Sequence, residues 1–251
     1  MRNRVFVLPV VFLLLFCFVQ VIGAHEIIDD HTVAITPYSA TDIPPMNCTI
    51  LEVIKEYPTD GTLGYWWPRN GESNYDGVTE DISYKGEVVF RGEPKKQSYC
   101  CGLTLEVFMK AAMKEMEKQE KDSIGGMTAA EVTGSFQHLW FCPAMKAPGP
   151  AEAMEAFGIG ETITDLNDVR PGDFVQIWRC HGSGHSVIFI DWVRDEDGNA
   201  TGMKYWSTQP ATDGVGERVE MFGPPEGVHT QETIFSRFTN LEGKIEESIT
   251  K

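Results

Sequence analysis

Positive charge is scarce in this chain. Lys and Arg together number 21 against 37 Asp and Glu, for a net charge of −16. Nucleic acid is held through its phosphates by basic side chains, so this balance speaks against it as a partner. No internal repeat and no low-complexity segment is present, which excludes a solenoid or a repeat array. After residue 22 no long apolar run recurs, so the remainder of the chain has no segment for stable membrane insertion. A full set of metal ligands is also missing. Cys180, His181 and His185 lie close together, but no fourth ligand follows at fitting spacing. The expectation is no metal and no cofactor.

The first residues have a character of their own. Met1-Arg2-Asn3-Arg4 is basic, Val5 to Ile22 is almost wholly apolar, and Gly23-Ala24 closes the run with small residues. This pattern reads as a secretory signal peptide over residues 1–24, with an uncleaved membrane anchor as the alternative. The expected location is secreted or periplasmic. Cleavage would remove Arg2 and Arg4, leaving 19 basic against 37 acidic residues, a charge of −18. Five cysteines would remain: Cys48, Cys100, Cys101, Cys142 and Cys180. An odd number in a secreted protein leaves one thiol over. One free nucleophile with two disulfides among Cys48, Cys101, Cys142 and Cys180 would account for all five. Cys142 with Cys180 is the preferred pair, because both flank the segment leading into the central strands.

The stretch Gln97-Ser98-Tyr99-Cys100-Cys101-Gly102-Leu103 stands directly before a helical pattern. Leu103, Val107, Phe108, Ala111 and Ala112 recur at helical spacing, with Lys114, Glu115, Glu117 and Lys118 on the wet side. The helix is expected over about 100–121. Its free N–H groups and dipole favour an anion at Cys100, and the thiolate is the nucleophilic form. Buried small hydrophobes or disulfide partners are the plain alternative for both cysteines. Cys101 also competes for the nucleophile's role, but one step along a helix turns it about 100° away.

Residues 25–62 show no sustained period, and prolines at 37, 44, 45 and 58 interrupt them. Ile50 to Ile54 reads as a short helix or strand, and 61–93 as loops and short extended pieces. Asn47-Cys48-Thr49 matches a glycosylation sequon, a match that chance also produces. Tyr65-Trp66-Trp67 supplies either one wall of a groove or core packing. Thr128 and Glu131 form a capping-box pattern opening a second helix to about Phe141. Ala151 to Phe157 is a third, with Gly158 at its end.

Then the pattern changes to strands: Phe174–Trp178, His185–Val193 and Met203–Gln209, with two more at Arg218–Phe222 and Thr233–Phe238. Asp197-Gly198 is a hairpin turn signal. Helices followed by an antiparallel meander indicate an α+β domain. Folding about that turn brings Ser207 to Gln209 roughly opposite His185. Cys100, His185 and a polar residue on the next strand meet the chemical needs of a nucleophile, a base and an orienting group. A histidine at a strand start is by itself more often structural.

Three short motifs, in order, resemble those of one family. Tyr99-Cys100-Cys101-Gly102-Leu103 is similar to the Asp-Cys-Ser-Gly-Leu of NlpC-type cell-wall peptidases. Arg170-Pro171-Gly172-Asp173-Phe174-Val175 and Gly184-His185-Ser186-Val187-Ile188-Phe189 resemble that family's Pro-Gly-Asp-Leu and Gly-His-Val-Gly-Ile-Tyr motifs. The resemblance covers residues 97–210. It implies a papain-like fold, shared with CHAP amidases, with helices packed on an antiparallel meander. It also implies cleavage of amide bonds in peptidoglycan stem peptides by a Cys-His-polar triad. Cys100 matches the nucleophile and His185 the base. Gln209 fits the third place by type and is the residue expected there, with Ser207, which fits the register slightly better, as the alternative. Gln97 or Tyr84 is a candidate to join the Cys100 backbone N–H in holding an oxyanion, with a surface or packing role the preferred reading of each. Trp178, Trp206 and Tyr205 are expected either to grip the substrate or to pack in the core. Tyr99 stands where the family has aspartate, and the helix-to-sheet connection is longer. Either departure means a different substrate or loss of activity.

The domain expectation is a signal peptide over 1–24, an N-terminal extension over 25–93 and a catalytic domain over 94–251. The functional expectation is a secreted cysteine hydrolase acting on a peptide or peptidoglycan. An inactive module binding peptide or glycan, and an acyltransferase, are the alternatives.

Overall fold

The computed structural model describes residues 27–29, 31–68 and 76–243. The expected signal peptide lies outside the described residues. Among those residues no helix is long and apolar enough to cross a membrane. The chain is a mixed α/β protein in which helices pack on a curled antiparallel sheet.

The order begins with β1 (Ile27–Asp29), β2 (Thr32–Val33) and α1 (Pro45–Ile54). Pro45 opens α1 at a position where a missing N–H costs nothing, and Met46, Ile50, Val53 and Ile54 form its buried side. A hairpin of β3 (Ile82–Tyr84) and β4 (Glu87–Phe90) leads to the long helix α2 (Cys100–Lys118). Next come α3 (Ala129–Glu131), a π-helical stretch over Val132–Phe136, α4 (Gln137–Trp140) and α5 (Pro150–Phe157). The Thr128–Glu131 capping box is formed, and Gly158 ends α5 in the left-handed conformation at φ 68°. The single second helix expected to about Phe141 is thus interrupted by the π stretch, and it stops at Trp140.

The remaining strands are β5 (Gly160–Ile163), β6 (Phe174–Trp178), β7 (Gly184–Arg194), β8 (Ala200–Gln209), β9 (Gly214–Met221) and β10 (Ile234–Phe238). The sheet runs β1-β2-β8-β7-β6-β10-β5, with β9 also paired to β8. One core lies between the helices and one sheet face, around Leu103, Phe108, Trp140, Phe174, Ile188 and Trp206. A second fills the other face around Val175, Val187, Phe189, Trp192 and Tyr205.

Two expectations change here, and the chance reading of the sequon is supported. The N-terminal 25–93 region is no separate extension. Ile50, Val53, Val78, Ile82 and Phe90 belong to the same core as α2, and β2 joins the sheet through Val33 opposite Ala200. Helix α2 has no single buried stripe in its first turns. Residues 101–109 are buried on every side, including Glu106, whose carboxylate accepts from Tyr57 Oη, Thr79 N and Oγ1, and Lys110 Nζ at 2.6–2.8 Å. The sequon asparagine, Asn47, is fully buried in α1, where its amide donates to Asp173 Oδ1 at 2.7 Å. A glycan has no room there, which identifies the match as chance.

Candidate active site

Helix α2 starts at Cys100. Tyr99 is its N-cap in extended conformation (φ −128°, ψ 163°) and supplies no side-chain cap. The first turn's N–H groups therefore face toward whatever sits at Cys100. The Tyr99 ring packs edge-on to Trp67, at 4.9 Å between centroids, and to Phe141 at 5.8 Å. An aromatic seat thus occupies the position where the resembling family has aspartate. Gly102 is needed for a close approach. A Cβ there would stand 2.4 Å from the Gly77 backbone, so the loop before β3 seals the first turn of the helix.

The strand end carrying His185 is fixed to this helix one residue away. Thr104 Oγ1 and Ser186 Oγ share a hydrogen bond at 2.9 Å, and Trp140 Nε1 donates to Thr104 Oγ1 at 3.2 Å. Cys100, His185 and Gln209 line one cleft of about 540 Å³. His185 Nε2 lies 3.1 Å from Gln209 Oε1.

The amide orientation follows from the bond beyond it. Thr212 Oγ1 donates its one proton to Gly214 O at 2.6 Å. It therefore accepts from the Gln209 side-chain nitrogen. That leaves Oε1 for His185, so Nε2 carries a proton and Nδ1 is left for the Cys100 thiol. Thr212 is a positioning residue for the base. Thr212→Val frees the amide to turn and is expected to slow alkylation of Cys100 near neutral pH about fivefold, the worth of one net hydrogen bond. An unchanged rate in the folded variant would remove Thr212 from the site.

The thiols divide the labour. Cys100 is held well below the usual thiol range, first by the Cys101 thiol as hydrogen-bond donor. Burial opposes this, and His185, by hydrogen bond and charge, and the Ser186 backbone N–H add to it. Cys101 is pushed the other way, by that same bond to Cys100 and by burial. Cys100 is the nucleophile candidate and Cys101 its protonated donor. Cys142 also lines the cleft, with its thiol pushed up to about 12 by burial. Among the described residues no two cysteines stand at disulfide distance, and the Cys142–Cys180 pair is not formed. Cys180 lines a different pocket, with His229 and Pro224.

Other expected residues fall elsewhere. Ser207 donates to the backbone O of Ser186 at 2.8 Å, so it does not orient His185. Tyr84 is buried in β3, where its hydroxyl donates to Met127 O at 3.0 Å, away from the cleft. Gln97 packs beside Gly64 and is not among the residues lining the cleft. Tyr84 is not placed to hold an oxyanion. Of the three expected gripping aromatics only Trp178 lines the cleft. Trp206 packs edge-on to Tyr57 at 5.3 Å, and Tyr205 donates to Glu220 at 2.7 Å. Tyr65 and Trp67 do line the cleft, Trp67 being 51% exposed, while Trp66 packs against the core. His181 turns to Ser183 Oγ at 2.8 Å and to Glu226 at 3.4 Å.

Several lining residues escaped the sequence reading, among them Phe141, Gln176, Arg179, Ser183 and Arg218. Gln176 had a signal, as the one polar residue in Phe174-Val175-Gln176-Ile177-Trp178. No protein-family model matches the chain, and no curated protein and no solved structure matches it at a significant level, so what this cleft does rests on its own geometry.

Proposed function

We propose that the protein is a cysteine hydrolase of peptide or amide bonds. One observation carries the reading: a thiol at a helix N-terminus, its ionisation drawn well below the usual thiol range, shares a cleft with a histidine whose far nitrogen meets Gln209 at 3.1 Å. His185 takes the Cys100 proton, and the thiolate attacks the substrate carbonyl. The Cys100 backbone N–H, at the start of α2, faces the developing oxyanion. His185 then returns the proton to the leaving amine. Water, deprotonated by His185, releases the acyl group and restores the thiol. Gln209 keeps the imidazole turned to serve each step.

The three motifs over residues 97–210 extend this reading to a papain-like peptidase of the NlpC type. With it come bacterial peptidoglycan stem peptides as substrate and a secreted or periplasmic setting. The aromatic wall of Tyr65, Trp67, Phe141 and Trp178 supports a groove for an extended chain.

The test is incubation of the protein with muropeptides, read by mass spectrometry. The expected result is a new amine and a new carboxyl terminus, both lost in Cys100→Ala. Fragments bound with no bond cut by the wild-type protein would instead identify a binding module. A product joined to an added amine would identify an acyltransferase.

A further inference from the structure

The charge of the cleft opposes that of the chain. Among the described residues that line it, Arg179, His181, His185 and Arg218 carry or can carry positive charge, and no Asp or Glu is present. Glu226 lies exposed 3.4 Å from His181, while Glu220 lies buried beneath the arginines. Glu220 accepts from Arg179 at 2.6 and 2.8 Å and from Tyr205 at 2.7 Å. Arg218 reaches it only at 3.6 Å and keeps a side chain 40% exposed. Two guanidinium groups over one carboxylate leave one positive charge unmatched, and Arg218 presents it to the cleft.

Arg218 and Cys100 line the same cleft. On β9, Gly214 stands opposite Gln209, Gly216 opposite Ser207 and Arg218 opposite Tyr205. These positions share one face of the sheet. Gly214 is covered by the Leu63 backbone and Gly216 by the Thr212 side chain, so Arg218 is the first residue of that row of β9 to line the cleft. Four strand residues separate the rows, ~13 Å at the usual rise. Allowing for the arginine's own length, that is about two to three residues of an extended substrate.

We infer that Arg218 is a specificity residue selecting a substrate with a carboxylate about two to three residues from the scissile bond. The inference rests on the hydrolase reading of the cleft. A chain of net charge −16 repels anions at long range. A local, partly desolvated arginine is what lets an anionic peptide bind in spite of that field.

The test uses matched thiol-alkylating peptides that differ by one carboxylate. Iodoacetyl-Gly-Gly-Glu amide is compared with its Gln counterpart, and acetyl-Glu-Gly-Gly chloromethyl ketone with its own, so both directions along the cleft are sampled. Rates at Cys100 are read by peptide mass spectrometry. The expected result is a Glu probe about five- to tenfold faster than its Gln partner in one direction at low salt. The preference falls toward one in Arg218→Gln, is kept in Arg218→Lys, and shrinks in 0.5 M salt in the wild-type protein. Equal rates in both directions, or a preference surviving Arg218→Gln, overturn the inference. The hydrolase reading fails separately, if Cys100 reacts with none of the probes faster than the exposed Cys48 does.

Discussion

With His185 replaced by alanine, Cys100 is expected to react with iodoacetamide at pH 6 about ten times more slowly than in the native protein. Only the thiolate reacts, so the rate at a pH below the ordinary thiol range follows the ionised fraction. Cys100 is held low by Cys101, then by His185 and Ser186, against burial. Removing the imidazole deletes one hydrogen bond and one charge and leaves the other two donors. The ionisation therefore moves up toward the ordinary thiol range. Each unit of that move removes tenfold of the thiolate at acidic pH, while the more basic thiolate regains about threefold in nucleophilicity. The labelling curve shifts to higher pH, with the largest loss on its acid side. Cys48, exposed and free, gives an internal reference in the same sample. An unchanged Cys100-to-Cys48 rate ratio across pH 4 to 9 would sever the two residues and with them the proposed mechanism.

The largest stability effect is expected from Arg237→Met. Asp173 is wholly buried, and Arg237 grips it through Nε at 2.8 Å and a terminal nitrogen at 2.7 Å. Asn47 from α1 and the Arg170 backbone N–H donate to the same carboxylate, each at 2.7 Å. One side chain thus joins α1, β10 and the turn before β6. Deleting the arginine leaves a buried carboxylate without its counter-charge, a loss of about 3–5 kcal/mol. In a chain of this size that lowers the melting temperature by roughly 6–20 °C.

The pH dependence has a definite sign. Burial already pushes the Asp173 carboxyl up, against the pull of Arg237. Without Arg237 it rises further in the folded state, while the unfolded value stays near 3.8. The folded protein then binds this proton first, so the variant regains stability as pH falls toward the unfolded value. Urea unfolding at pH 7 and pH 5 should show the larger deficit at pH 7. A deficit below about 1 kcal/mol at pH 7 would mean that the pair is not structural.

Asp173 also shows how far a motif can be read. Its place in Pro171-Gly172-Asp173 is plain in the sequence. Its work as a buried junction is not, because Asn47 and Arg237 lie 126 and 64 residues away. The cysteines make the same point. Their number invites disulfides in a secreted protein, yet Cys142 and Cys180 line different pockets and stay apart.

The sequence by itself determined the elements that carry the chemistry. Helical spacing after Cys100 placed that thiol at a helix N-terminus, and alternation with an Asp-Gly turn drew the hairpin of β7 and β8. Those signals are local, and a local period is all a helix or strand needs. The tertiary structure alone decided which residue meets His185. Near the turn, Val193 stands opposite Gly202 and Trp192 opposite Met203. Continued unbroken, that register would set His185 opposite Pro210 and turn Gln209 to the other face. An irregularity between Phe189 and Asp191 slips the pairing by one, so Phe189 meets Tyr205 and Ile188 meets Trp206. The same register carried onward brings Gln209 opposite His185, where their bond is found. A bulge adds one residue to one strand and re-aims every side chain beyond it. Nothing in the alternation of β7 announces it, because Ile190 is as apolar as its neighbours and fits the strand pattern either way.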